Sequence, residues 1–203
     1  MRTITREYKI YKYEELTEEA KEKVKEWYLE SKNAEDFEYT LKCDLEAQGL
    51  NNLKSYYRLS YCQGDGLCLY GSIEFEEIEK STECLPEGTI KDLFYKGFNI
   101  SDYKAISILK KYSKINFIHS DSHYCHKYTV DIDIEIEEES EKMYNFLEKT
   151  VNKLKNNIKE WYYKICDEYE QWGYDYFYKV EDEELKEYCD INNIEFYEDG
   201  SIL

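Results

Sequence analysis

All three histidines of the chain, His119, His123 and His126, fall within eight residues, with Asp121 and Cys125 among them. Neutral imidazole, thiolate and carboxylate are suitable ligands for zinc or another transition metal. His119, His123, His126 and Cys125 are therefore the candidate metal ligands. Structural zinc sites usually draw on two separated pairs of ligands, and the sequence shows no second pair. Imidazole also titrates near neutrality and suits proton transfer, but no paired nucleophile accompanies it. A second group, Gln63-Gly64-Asp65-Gly66, could turn backbone N–H groups toward an anion. It lacks the lysine, the length and the following helix of a phosphate-binding loop, so a turn is the simpler expectation.

The third group is a row of carboxylates. In Val130-Asp131-Ile132-Asp133-Ile134-Glu135-Ile136-Glu137 apolar and acidic residues alternate strictly. A strand places Asp131, Asp133, Glu135 and Glu137 on one face at a pitch of roughly 6.6–7 Å, close to twice the axial rise per phosphate of one DNA strand. Glu74 and Glu76 would extend that acidic face from a neighbouring hairpin. The plain alternative is a half-exposed strand with a solvated outer side.

The elements that must carry these groups are legible from periodicity. A short strand is expected over 5–12. Thr17 caps a helix through Ser31, with Leu16, Ala20, Val24, Trp27 and Tyr28 inward. A second helix covers 34–48 and stops at Gly49. SYYRLSYC (55–62) and LCLYGSIEF (67–75) flank Gln63–Gly66 as a hairpin. Residues 79–89, with the only proline, Pro86, read as a loop. A helix follows over 101–112, then a second hairpin of 114–118 and 127–137 whose long connection holds the histidines. From Ser140 to Trp172 apolar residues recur at steps of three and four, and Gly173 is expected to end that helix. A short acidic helix over 181–190 precedes the closing IEFYEDGSIL. Strands grouped between helices, without βαβ alternation, imply an α+β fold. The expectation is an antiparallel sheet of two or more hairpins with helices on one face. The 203 residues show no linker, repeat or domain boundary. They read as one domain whose segment 140–203 projects, the long helix packing either within the domain or against a second copy.

Composition narrows the function. The formal net charge is −18, so direct binding to nucleic acid or anionic lipid is disfavoured, and a basic partner is favoured. Seven cysteines, an odd number without a CxxC pair, argue against a disulfide framework and for a reducing compartment such as the cytoplasm. No stretch approaches the ~18 apolar residues of a membrane span. Lys149, Lys153, Lys155 and Lys159 form the one locally basic run, and only three arginines, Arg2, Arg6 and Arg58, are present to read bases.

Four segments, YKIYKYEELTEEAKEKVKEWY, LSYCQGDGLCLYGSI, HYCHKYTV and ELKEYCDINNIEFYEDGSIL, run from one end of the chain to the other. Together they resemble a diffuse group of mostly uncharacterised accessory proteins of tailed bacteriophages. The resemblance implies no catalytic residues. It points to Gln63, Asp65, His119 and His126 as positions for ligand binding. It implies a cytoplasmic role in a bacterial host, as an inhibitor of a nucleic-acid-processing defence complex (CRISPR or restriction). Two other readings stand beside it: a metal- or nucleotide-binding protein or enzyme built on His119, His123 and His126, and an antitoxin-like neutraliser of a basic toxin.

Overall fold

A computed structural model describes residues 7–75, 96–120, 123–136 and 141–203. The chain divides into two compact units, residues 37–173 and residues 1–36 with 174–203, where the sequence shows no boundary. The expected loop over 79–89, Glu76, Asp121 and Glu137 lie outside the described residues.

The larger unit is α+β. Its sheet comprises β1 (Leu53–Arg58), β2 (Gly66–Glu74), β3 (Ser113–His119) and β4 (Val130–Ile136), paired antiparallel in that order. Register places Leu69, Ile73, Ile115, Phe117, Val130 and Ile134 on one side, all buried. Helices cover that side. Phe37 of α2 (Ala34–Ala47) meets the Tyr57 ring of β1 edge-on at 5.1 Å. Tyr162 and Trp161 of α4 (Glu141–Tyr178) meet Phe117 at 5.2 and 6.1 Å. α3 (Ile100–Tyr112) begins with a reciprocal cap: Asn99 N–H donates to Asp102 at 2.8 Å and Asp102 N–H returns to Asn99 Oδ1 at 3.1 Å. Asp102 then holds Thr150 and Lys153 of α4.

The 38-residue α4 runs through Gly173 instead of ending there. A Cβ at Gly173 would lie 2.3 Å from Leu59 Cδ1 and 3.1 Å from Phe37 Cζ. Glycine is present for close packing, which a reading of helix stops cannot distinguish. The first hairpin also differs from expectation. β1 ends at Arg58, and residues 59–65 form the connection, with Asp65 Oδ2 accepting the N–H groups of Ser60 and Cys62 at 2.7 and 2.8 Å.

β2 and β3 pair only from Gly71↔Phe117 to Glu74↔Lys114. Beyond that point they part. The Tyr162 hydroxyl enters the gap, accepting the Leu69 N–H at 3.1 Å and donating to the Leu69 carbonyl at 2.8 Å. One hydroxyl thus satisfies both backbone groups of a residue that pairs with Ser55 of β1 but has no partner on β3.

In the smaller unit, Tyr13, Leu16, Ala20, Val24, Tyr28, Leu185, Cys189 and Phe196 form the core. α1 (Glu18–Ser31) starts at Thr17, whose hydroxyl accepts the Ala20 N–H at 3.3 Å. α5 spans Asp182–Ile191. The expected strand over 5–12 is absent from the described part of that stretch, where Tyr11 makes only an isolated bridge to Phe196. Tyr8 and Ile10 are exposed, so the alternation there marks no buried face.

Candidate functional site

The loop 59–65 and the connection before β4 adjoin. The Cys125 N–H donates to the Gly64 carbonyl at 3.2 Å. A Cβ on Gly64 would fall 2.0 Å from the Tyr124 ring. Gly66, at φ +149°, sits between His126 and Glu170 of α4: a Cβ there would meet His126 Cβ at 2.9 Å and Glu170 Oε2 at 3.1 Å. Burial raises the Glu170 carboxyl above its usual range, opposed by the Leu67 N–H that it accepts. Gln63 is exposed, whereas Asp65 is partly buried within its own loop.

The histidines do not converge. His119 closes β3 and packs against Tyr56 and Tyr70, its ring 5.3 and 6.2 Å from theirs. His126 stacks on Tyr124 at 5.9 Å, His123 is exposed, and Cys125 is buried. Among the described residues no three His, Cys, Asp or Glu side chains are arranged to hold a metal ion. The expected zinc set of His119, His123, His126 and Cys125 is thus not assembled. Short spacing in a loop does not aim side chains at one point. The buried thiols are also poor ligands and nucleophiles: burial pushes Cys68 and Cys166 up to about 12.

The carboxylates of β4 alternate as expected. Asp131, Asp133 and Glu135 are exposed, while Val130 and Ile134 are buried, and the Asp133 carboxylate reaches round the β4 edge toward α4. The row is not uniformly negative, however. Lys155 Nζ lies 2.7 Å from Asp133 Oδ1 and holds that carboxyl below the usual range. Asn116 Nδ2 donates to Glu135 at 3.1 Å, and Lys114, opposite both Glu74 and Glu135, lies 3.8 Å from Glu74. Three lysines of the basic run on α4, Lys153, Lys155 and Lys159, are likewise engaged. Lys153 binds Asp102 and the Gly97 carbonyl, and Lys159 lies over the Tyr163 ring at 5.6 Å.

Sequence reasoning missed the centre of the open face. A shallow groove of about 850 Å³ lies there, lined by Tyr56, Tyr70, Ser72, Asn116, Ile118 and His119, with backbone from Gly71 and Phe117. Tyr56 is 39% exposed and Ile118 54%, which puts apolar surface in solvent beside the acids. Their signal was the outward phase of Tyr56 and Tyr70 in the two strands, obscured because tyrosine also serves at the margin of a core.

The chain belongs to the domain-of-unknown-function family DUF8835, whose profile matches residues 32–175 and therefore takes in the whole sheet-bearing unit. No curated protein and no solved structure matches it. Among the described residues no helix is long and apolar enough to cross a membrane.

Proposed function

We propose that this protein is an interaction protein. Through the open face of its sheet it docks on a basic surface of a nucleic-acid-processing complex, as an inhibitor of a bacterial defence nucleoprotein would. The observation that carries the reading is the rigid display of Asp131, Asp133 and Glu135 on one exposed side of a paired strand. The net charge of −18 supplies the long-range attraction. Lys155 and Lys114 reduce the likeness to a continuous phosphate backbone, so the support lies with docking more than with mimicry of DNA. Binding to purified CRISPR effectors and restriction enzymes tests it. The expected result is salt-sensitive binding that weakens at least tenfold when Asp131, Asp133 and Glu135 are changed together to Asn, Asn and Gln. Unchanged binding by that variant removes the reading.

A ligand-binding role at the other end of the sheet has one specific observation in its favour. Asp65 Oδ1 and His126 Nδ1 are buried without a hydrogen-bond partner. Elemental analysis of untagged protein and mass spectrometry of heat-released small molecules test it. Protein free of both disposes of it.

A further inference from the structure

The groove on the open face carries more hydrogen-bond acceptors than donors, and the reason is local. The Tyr124 carbonyl can only accept, so His119 Nε2, 3.2 Å away, must carry the hydrogen. In the neutral ring this leaves Nδ1 as an acceptor. The Asn116 amide likewise spends one of its two N–H donors on Glu135, leaving its carbonyl oxygen with capacity to accept. The Cys125 thiol beside the Tyr56 hydroxyl raises that phenol above its usual range. Tyrosine rings form one wall, and the acids border the other: Asp131 and Asp133 stand directly opposite the groove residues Ile118 and Asn116 in the β3–β4 register. Directly opposed residues hold their Cβ atoms about 4.5–5.5 Å apart.

A phosphate-bearing ligand would meet the carboxylates that border this groove. A guanidinium matches the acceptors, the aromatic wall and the acidic border. It is planar, it carries five N–H donors and no acceptor, and it stacks on aromatic faces. Lys54 is opposite Tyr70, and Arg58 lies two residues beyond Tyr56, both on β1, so the face runs from positive at β1 to negative at β4. A cation therefore enters from the β4 edge. We propose that the groove seats an arginine side chain of the basic partner, its guanidinium on the Tyr56, Tyr70 and His119 rings and toward Asp131. This rests on the docking reading above and specifies its chemistry.

The test is an NMR titration of the full chain with four probes. These are a peptide of three arginines spaced by glycines, its lysine and citrulline counterparts, and adenosine monophosphate. The arginine peptide is expected to shift the Tyr56, Tyr70 and His119 resonances. It should bind about two- to fivefold tighter than the lysine peptide, the size of an exposed cation–π increment. The citrulline peptide should bind weakly. In Tyr56→Thr/Tyr70→Thr, with the native spectrum otherwise retained, the arginine preference should vanish. Should that pair unfold, His119→Phe offers a second arm, keeping a ring while removing the acceptor, and it should reduce the preference. Equal binding of arginine and lysine peptides, lost together in Asp131→Asn/Glu135→Gln, overturns the groove and leaves the acidic docking face standing. Failure of both charged peptides overturns both. Shifts of the groove resonances by adenosine monophosphate with none by the arginine peptide assign the groove to a nucleotide and overturn the proposal.

Discussion

In the unit of residues 37–173 the tyrosine hydroxyls include one that works deep inside. Tyr162 is fully buried and closes the gap beside Leu69, whereas Tyr169 donates to the exposed Asp44 at 2.6 Å and accepts from Gln48 at 2.9 Å. In the unit of residues 1–36 and 174–203 they work at the rim. Tyr13 and Tyr28 bury their rings but donate outward to Asp182 and Glu184 at 3.2 and 3.4 Å. Asp182 is in turn held 2.7 Å from Lys25, at the surface. A buried hydroxyl whose partners cannot reach water is costly to remove, whereas a rim hydroxyl leaves acids that water can solvate. The two units therefore reach similar aromatic content with different sensitivity to substitution. The family match falls on the unit with the buried polar positions.

The largest expected effect is at Gly71. Its φ is +131°, where L side chains are strained, and a Cβ would lie 2.3 Å from the Asn52 carbonyl oxygen, backbone that cannot step aside. Gly71→Ala should cost about 3–5 kcal/mol in urea unfolding monitored on the sheet unit. Tyr162→Phe comes next, at about 2–4 kcal/mol, because it strands the Leu69 N–H and C=O together. Hydrogen exchange should accelerate at the Leu69 amide first. Asp102→Asn should cost about 1 kcal/mol at neutral pH. The Asn99 N–H, and then Lys153, hold the Asp102 carboxyl below the usual range. That stabilisation is present above the unfolded carboxylate value near ~4 and is lost as pH falls through the lower folded value. The gap between wild type and variant should close there, as followed by denaturation midpoints. Smallest is Tyr13→Phe in the other unit, about 0.5–1 kcal/mol by the same measurement. Equal losses from Tyr162→Phe and Tyr13→Phe would break the contrast between interior and rim.

Helices were the most legible part of the sequence, because a 3.6-residue period carries its own evidence. α1, α2, α3 and α5 begin and end within a residue or two of expectation. The strict alternation of 130–136 likewise fixed which side of β4 is buried. Gly173 misled because a glycine chosen for contact with Leu59 is indistinguishable in sequence from one chosen to stop a helix. The strand expected near Tyr8 rested on two apolar residues that turn out to be exposed. Of the candidate site, the adjacency of the Gln63–Gly66 and Tyr124–His126 segments follows from pairing two hairpins. The groove does not, since it depends on His119 lying against two tyrosines and on which donors its neighbours consume.

The parting of β2 and β3 beside Leu69 has a consequence for how the protein behaves in company. A split in a sheet normally offers an invitation, since a stray segment from another chain can slip in and adopt the vacant ladder. Here the vacancy is plugged from within by a phenol carried on a long helix. A visitor at this seam would have to evict an entire ring, so strand addition beside Leu69 is opposed by the fold itself.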